Sequence, residues 1–298
     1  MAALTLTAVL QMIIVVLSGS IALFADTVHN VGDGLNSVPL LIAFYLARRA
    51  ATRRYTYGFG KAEDIAGIFI VLSIAISAGV IFWQSFQKLL DPQPLANLEW
   101  VAAAAIIGFL GNETVALLQI RVGRKIGSAA LVADGLHART DGLASLAVLL
   151  AAGGSWLGFP IMDPIIGLLI GVVILFITRD AAVTIWYRLM DAINPETLAR
   201  AEVVTQRQAA VKELRQLRMR WMGHRLYAEV HIAVEPHLTT VQSHHIAEQL
   251  RHDLFHQIPN LGEAVVHVEP WAEQLETVHQ LTVHHEPVPQ PISRRIRR

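Results

Sequence analysis

The feature that most constrains this chain is a series of long apolar runs confined to its first two thirds. Six runs are separated by short polar or basic stretches: residues 4–17, 21–46, 62–90, 98–120, 128–152 and 161–177. About 20 apolar residues in a helix are enough to cross a bilayer. The chain is 53% hydrophobic and only 16% charged, against roughly 25% charged residues in a soluble domain. The sequence therefore predicts an α-helical integral membrane protein with six transmembrane helices.

Charge in the intervening loops predicts how these helices are oriented. Residues 48–61 contain five Lys or Arg and residues 121–125 contain three, whereas residues 91–99 and 153–163 contain none. Basic loops face the cytoplasm, so an even number of spans places both termini there. No basic residue precedes the first run, which favours a membrane helix over a signal peptide. We expect a multi-pass protein of the cell membrane, a prokaryotic inner or plasma membrane.

Beyond the last run the composition becomes polar and the periodicity changes. Residues 191–271 read as helix, strand, strand, helix, strand, which predicts a cytoplasmic α+β domain of αββαβ, ferredoxin- or metallochaperone-like type. The predicted domains are a six-helix transmembrane transport domain at 1–181, this dimerisation or regulatory domain at 191–271, and a disordered tail at 272–298. The tail is expected to be disordered because it is rich in proline and basic at its end.

Composition also excludes several classes of function. The chain has no cysteine, which rules out disulfides and thiolate metal sites. Its formal net charge is zero, which gives no support for nucleic acid as a partner. Histidine is distributed unevenly: two of the 13 lie in the apolar region, and the other eleven lie between positions 224 and 285.

The two apolar-region histidines share a pattern with a nearby carboxylate. His29 precedes Asp33 by four residues in the second run, and His137 precedes Asp141 by four in the fifth. On a helix this spacing places both side chains on one face. Ionisable residues inside a membrane segment are costly and usually functional. Two such pairs predict a tetrahedral site of two imidazole nitrogens and two carboxylate oxygens, suited to Zn²⁺ and also to Co²⁺, Ni²⁺ or Mn²⁺.

The residues alone leave three functions open for such a site. A transporter would move the cation across the membrane, and a metal-binding receptor or scaffold would bind it without flux. A membrane metalloenzyme would use the same ligands, but a catalytic zinc usually keeps an open position and the chain has no HExxH motif. The absence of such a base favours a protein that is not an enzyme.

The combination of these features resembles the cation diffusion facilitator family. The resemblance rests on the paired HxxxD motifs, the turn Tyr57-Gly58-Phe59-Gly60-Lys61-Ala62-Glu63, the six spans and the αββαβ domain. It implies a homodimeric antiporter in the lipid bilayer that exports divalent cations from the cytoplasm in exchange for protons, by alternating access. The transport site would be His29, Asp33, His137 and Asp141, between the second and fifth helices. The set resembles that of zinc- and cadmium-handling members, so zinc comes first and Cd²⁺, Co²⁺, Ni²⁺, Mn²⁺ and Fe²⁺ follow.

The resemblance also implies a cytoplasmic metal site. The sequence differs from the family at two positions where some members carry a metal-binding histidine. The matching cytoplasmic positions are His231, His244, His267 and Glu269, where Zn²⁺ would be a regulatory ion, with ordinary solvated surface histidines as the alternative. A further histidine of the first strand is replaced by Arg215, which favours one cytoplasmic site over two. Some members carry a histidine in the Gly-rich turn, where this chain has Phe59, so the peripheral site of those members is expected to be absent.

Four other residues receive smaller predictions. By the same resemblance, Lys61 and Asp191 match a charge pair that links the membrane and cytoplasmic domains, with ordinary solvated charges as the alternative. Asp26, one turn before His29, would orient that imidazole or face the cavity. Glu113 in the fourth span would assist proton or ion passage, or else form a helix–helix hydrogen bond.

Overall fold

The computed structural model describes residues 38–90, 98–159 and 161–272. The chain divides into two compact units, one comprising residues 1–193 with 220–226 and the other residues 194–219 with 227–298. The predicted first span and most of the second lie outside the described residues. So do His29, Asp33, Asp26 and nearly all of the predicted tail.

Apart from residues 220–226, the described part of the first unit is helical. Its helices are α1 (Val38–Ala47), α2 (Ala62–Leu90), α3 (Leu98–Ile126), α4 (Ala129–Trp156) and α5 (Met162–Leu189). Among the described helices, α2, α3 and α5 are long and apolar enough to cross a membrane. Helix α4, with 28 residues, is not among them, because Asp134, His137, Arg139 and Asp141 interrupt its apolar sequence. The prediction of a helical membrane domain is confirmed, whereas the number six remains a prediction.

Three predicted helix ends are too early. The fourth, fifth and sixth runs end at residues 120, 152 and 177, whereas α3, α4 and α5 continue to Ile126, Trp156 and Leu189. The difference is largest for α5. Residues 180–189 contain neither glycine nor proline, so nothing in them interrupts the backbone hydrogen bonds of the helix. The charged pair at Arg179 and Asp180 marks a change of surroundings along a continuous helix.

The helices of the first unit enclose a narrow core of small and aliphatic side chains. Ile70 and Ile74 of α2, Ala133 of α4 and Ile174 of α5 are almost completely buried in it. Large apolar side chains such as Phe69 cover the outside of the same helices. An apolar exterior around a core of small residues is typical of helices that face lipid.

Helices α2 and α5 run antiparallel and are tied at both ends. Lys88 near the end of α2 contacts Asp163 at the start of α5, with 2.7 Å between Nζ and Oδ2. At the other end, Lys61 Nζ lies 3.0 Å from Asp191 Oδ1. The predicted pair of Lys61 with Asp191 is therefore formed.

Helices α3 and α4 form a tight antiparallel hairpin. They are joined at Gly127, whose φ of +76° is a left-handed conformation that favours glycine. A Cβ on Gly135 would lie 2.8 Å from Ile120 Cγ1, and one on Gly123 would lie 2.9 Å from the backbone nitrogen of Val132. Glycine at these positions lets the two backbones approach closely.

The second unit is an α+β domain, as predicted. Its elements are α6 (Pro195–Gln206), β1 (Glu213–Met222), β2 (Arg225–Val234), α7 (Thr240–Gln257) and β3 (Leu261–Pro270), and the sheet has the order β1-β2-β3. The αββαβ order is confirmed. Both helices begin at a capping side chain, Asn194 for α6 and Thr239 for α7, which explains why their starts were readable from the sequence.

Alternate residues of the central strand β2 lie on opposite faces of the sheet, one buried and one more exposed. Val230 and Ile232 are completely buried, as are Leu250 and Leu254 of α7. His231, between the two buried residues of β2, points to the opposite and more exposed face.

Candidate metal sites

The site helix α4 begins at Ser128, whose side chain accepts a hydrogen bond from the backbone nitrogen of Leu131. Two and a half turns later it presents His137 and, one turn further, Asp141. His137 is 3% exposed and the Asp141 side chain is 12% exposed. Nδ1 of the imidazole lies 3.9 Å from Oδ1 of the carboxylate, so both groups lie on one face and can approach one ion.

Hydroxyl groups beside the two ligands bond to the backbone of the same helix. Thr140 Oγ1 donates to the carbonyl oxygen of His137 over 2.7 Å, and Ser145 Oγ donates to that of Asp141 over 3.1 Å. Ser and Thr side chains in this position satisfy themselves inside an apolar segment. They therefore do not compete with the imidazole and carboxylate as ligands.

A second buried carboxylate, Asp134, lies one turn before His137. Asp134 is 3% exposed, and Gln119 of α3 donates from Nε2 to its Oδ2 over 2.5 Å. The prediction of ligands did not include it. The signal was in the sequence, because Asp26 stands in the same place before His29, so that both segments read D-x-x-H-x-x-x-D.

Glu113 has a partner that the sequence analysis did not identify. Arg139 of α4 donates from its second terminal nitrogen to Glu113 Oε1 over 2.6 Å and from Nε to Oε2 over 3.2 Å. This two-point geometry is the strong form of a carboxylate–guanidinium pair. The helix–helix hydrogen bond predicted as one alternative for Glu113 is present, with arginine as the donor.

The cytoplasmic cluster is formed by the neighbouring strands β2 and β3. His267 and Glu269 are two residues apart on β3 and so share a face, which His231 of β2 also reaches. Glu269 Oε1 lies 3.4 Å from His231 Nδ1 and 3.4 Å from His267 Nε2. One ligand atom from each of the three lies within 4.8 Å of the others, a separation that one ion can bridge.

His244 does not belong to that group within one chain. Among the described residues, the only group of three or more such ligands this close together is His231, His267 and Glu269. His244 is exposed on α7, and its place in a cytoplasmic site stays a prediction.

At the two positions where this chain lacks a histidine of its relatives, Phe59 and Arg215 make contacts with other side chains. Phe59 stacks on Tyr55 with ring centroids 4.6 Å apart. Arg215 in β1 pairs with Glu213, with 2.8 Å between nitrogen and oxygen. At both positions the side chain that replaces the family's histidine contacts a neighbouring residue.

Comparison with known families decides the class of protein. The family described as "Cation efflux transmembrane domain" matches residues 1–190, and the family named ZT_dimer, described as "Cation efflux protein, cytoplasmic domain", matches residues 193–271. The chain belongs to the cation efflux family. It is therefore a membrane transporter of metal cations and not an enzyme.

Several relatives of this cation efflux protein are similar over most of their length. A "Probable cation efflux system protein" of Mycobacterium tuberculosis is 51% identical over 265 residues, which cover 89% of this chain and 80% of the relative. "Cation-efflux pump FieF" of Serratia proteamaculans is 29% identical, covering 85% of this chain and 84% of the pump. "Metal tolerance protein 2" of Oryza sativa is 29% identical, covering 85% and 72%.

Among solved structures, a cadmium form of the MamM CTD is similar to part of the chain. It is 26% identical and covers 26% of this chain and 98% of the solved chain, with a TM-score of 0.26.

Proposed function

We propose that this protein exports divalent transition-metal cations from the cytoplasm in exchange for protons, with zinc as the first cargo. The observation that carries the proposal is the buried pair of His137 and Asp141 on α4, inside the domain that matches the efflux family. His29 and Asp33 repeat its spacing and would supply the other two ligands.

The chemistry of these four groups fits zinc. Zn²⁺ favours four ligands in a tetrahedron and accepts imidazole nitrogen and carboxylate oxygen. Two carboxylates would neutralise the divalent charge, which lowers the cost of holding the ion at membrane depth. Cadmium, cobalt, nickel, manganese and iron follow as cargo, because the affinity of a site without thiolates overlaps among these ions.

Proton coupling follows from the imidazoles. A histidine binds metal only in its neutral form, so protons and cation compete for His29 and His137. A cation loaded from the cytoplasm would be released outside as protons bind, and the protons would return inward with the empty site. The basic loops at residues 48–61 and 121–125 support a cytoplasmic loading side and cytoplasmic termini.

The cytoplasmic domain would form a homodimer and hold a regulatory ion. The name of the matching family, ZT_dimer, supports the dimer. His231, His267 and Glu269 supply two nitrogens and one oxygen at suitable separations. Zinc there would need a fourth ligand, which water, His244 or a second copy of the chain would provide.

Zinc flux into proteoliposomes tests the transport site. Asp141→Ala should abolish the flux and the accompanying pH change, because it removes a ligand and half of the compensating negative charge. Asp180→Ala is the matched control, since Asp180 lies on α5 with 73% of its side chain exposed. Undiminished flux in Asp141→Ala would refute the site, and flux without any pH change would refute proton coupling.

A further inference from the structure

The tip of the β1–β2 hairpin, residues Arg220–Leu226, belongs to the first unit and is called the hairpin loop below; it consists of the turn at residues 223–224 and the strand ends on either side. Its centre is Gly223, with a φ of +62°. A Cβ there would lie 2.7 Å from the carbonyl oxygen of Gly60 and 2.9 Å from Glu63 Oε1. Only glycine lets the loop approach the start of α2 this closely.

Arg188, in the last turn of α5, holds the loop and the α3–α4 turn together. Its two terminal nitrogens donate to the carbonyl oxygens of Gly223, over 3.2 Å, and of Gly127, over 2.9 Å. Its guanidinium also lies 3.8 Å from the ring centroid of Trp221, a cation–π distance. Arg188 therefore connects the loop with the turn directly before α4.

Glu63, in the first turn of α2, lies at the centre of these contacts and is only 1% exposed. His224 of the loop contacts its Oε1 through Nδ1. Ser128 donates from Oγ to its Oε2 over 3.0 Å. A buried carboxylate is costly unless its oxygens have partners, so losing either contact would be unfavourable.

Ser128 is also the residue that begins the site helix. Its hydroxyl caps α4, and His137 follows nine residues later, about 14 Å along the helix axis at the usual rise. The chain of contacts from His224 through Glu63 to Ser128 therefore ends on the helix that carries the transport ligands. Lys61, Asp64 and Asp191 provide the other charges around this position.

We propose that Glu63 is a positioning residue that links the hairpin loop, through His224, to the head of the transport helix α4, through Ser128. The link sets the position of α4 for the step in which the loaded site closes to the cytoplasm and opens to the outside. It rests on the proposed transport function, but it concerns the movement of the site helix and not the binding of the ion.

Transport kinetics of the full chain in proteoliposomes test the link, with His224→Ala and Ser128→Gly as the informative variants. Glycine is nearly as good a helix cap as serine, so Ser128→Gly removes the contact with Glu63 while sparing the cap. Each variant should lower the maximal zinc flux about tenfold, the effect of one hydrogen bond to a charged group. The KM for zinc and the equilibrium zinc binding should stay within about twofold, because no ligand is changed.

The double variant and a conservative substitution separate positioning from general damage. Because both residues act through Glu63, His224→Ala combined with Ser128→Gly should be no slower than the worse single variant. His224→Gln, which keeps a donor for Glu63, should recover most of the flux. His252→Ala is the control, because this histidine is 71% exposed on α7.

Three results would overturn the link. These are wild-type flux in both single variants, fully additive losses in the double variant, and a raised KM with unchanged maximal flux. Failure of the transport function itself has a different signature, because the wild-type protein would then show no zinc flux. Failure of the site assignment alone would leave zinc flux intact in Asp141→Ala.

Discussion

The two ligand groups of this protein, one on helix α4 and one on the sheet of the cytoplasmic domain, contain the same chemistry in opposite surroundings. Both combine imidazole with carboxylate. The His137 side chain is 3% exposed and Asp141 is 12% exposed, whereas the two histidines of the sheet, His267 and His231, are 55% and 35% exposed. In the second group only the carboxylate, Glu269, is buried. One group has been removed from water and the other remains in contact with it.

The difference determines what each group can do with a cation. In the buried group an ion must lose its water, and protein ligands must replace both its hydration and its counter-charge. Under the proposed function, occupancy of that group would be coupled to protons and to helix position. In the exposed group an ion can keep water ligands and bind without a change of fold, which suits a group that responds to concentration.

The largest expected effect tests whether only the buried group carries the cargo. His137→Ala should lower zinc flux in proteoliposomes by at least about 100-fold, because a missing ligand at membrane depth cannot be replaced by water at low cost. His231→Ala, the corresponding change in the exposed group, should lower the flux by less than about threefold, since water can take the vacant position. Equal losses of flux in the two variants would contradict the idea that only the buried group carries the cargo.

Variants of the ion pair between Glu113 and Arg139 test whether the charges near the buried group stabilise the protein by compensating each other. Glu113→Gln should destabilise the protein by about 2 kcal/mol, because it leaves a partly buried guanidinium without its carboxylate. Adding Arg139→Gln should recover at least half of that loss. Chemical unfolding in detergent measures both, and Arg179→Gln, at a fully exposed pair, is the control. Equal stability of the single and double variants would show that the pair is incidental.

Asp134 tests whether the buried group extends beyond its ligands. Asp134→Asn keeps the shape of the side chain but removes the charge one turn before His137. Loss of such a supporting carboxylate usually weakens metal binding about tenfold, so the KM for zinc should rise by that factor. Gln119→Leu, which removes the donor to Asp134, should shift the KM in the same direction. Unchanged KM in both would limit the site to its four predicted ligands.

The smallest effect concerns the exposed group. His267→Ala should reduce the zinc-induced rise in melting temperature of the full-length protein by about 2–4 °C, because it removes one ligand that binds only in the folded state. His245→Ala, an exposed histidine on α7, is the control. A full zinc response in His267→Ala would mean that the sheet cluster holds no ion.

Features of the fold that depend on residues close together in the sequence could be predicted from the sequence. The αββαβ order followed from period, caps and turn residues. The shared face of His137 and Asp141 followed from helical spacing alone. The end of α5 was missed because a charged pair was taken as the end of a helix that has no breaker.

Contacts between helices were harder to predict because they depend on register, which a single helix does not reveal. The pairs of Gln119 with Asp134 and of Arg139 with Glu113 join positions that become neighbours only when α3 and α4 pack. Glu63 was part of a recognised turn, yet its burial depends on a hairpin loop more than 150 residues later. The place of His244 in a cytoplasmic site stays a prediction, because the described residues of one chain do not bring it into the cluster of His231, His267 and Glu269.

The glycine-lined hairpin of α3 and α4 has a mechanical consequence. Two backbones in such close contact, held together also by two polar pairs, cannot slide past each other without steric overlap. A displacement of α4 during transport therefore carries α3 with it, so the moving part is a two-helix body and not a single rod. We expect such a body to move against the lipid on the outer face of α3, and the speed of transport to depend on the thickness and stiffness of the surrounding bilayer.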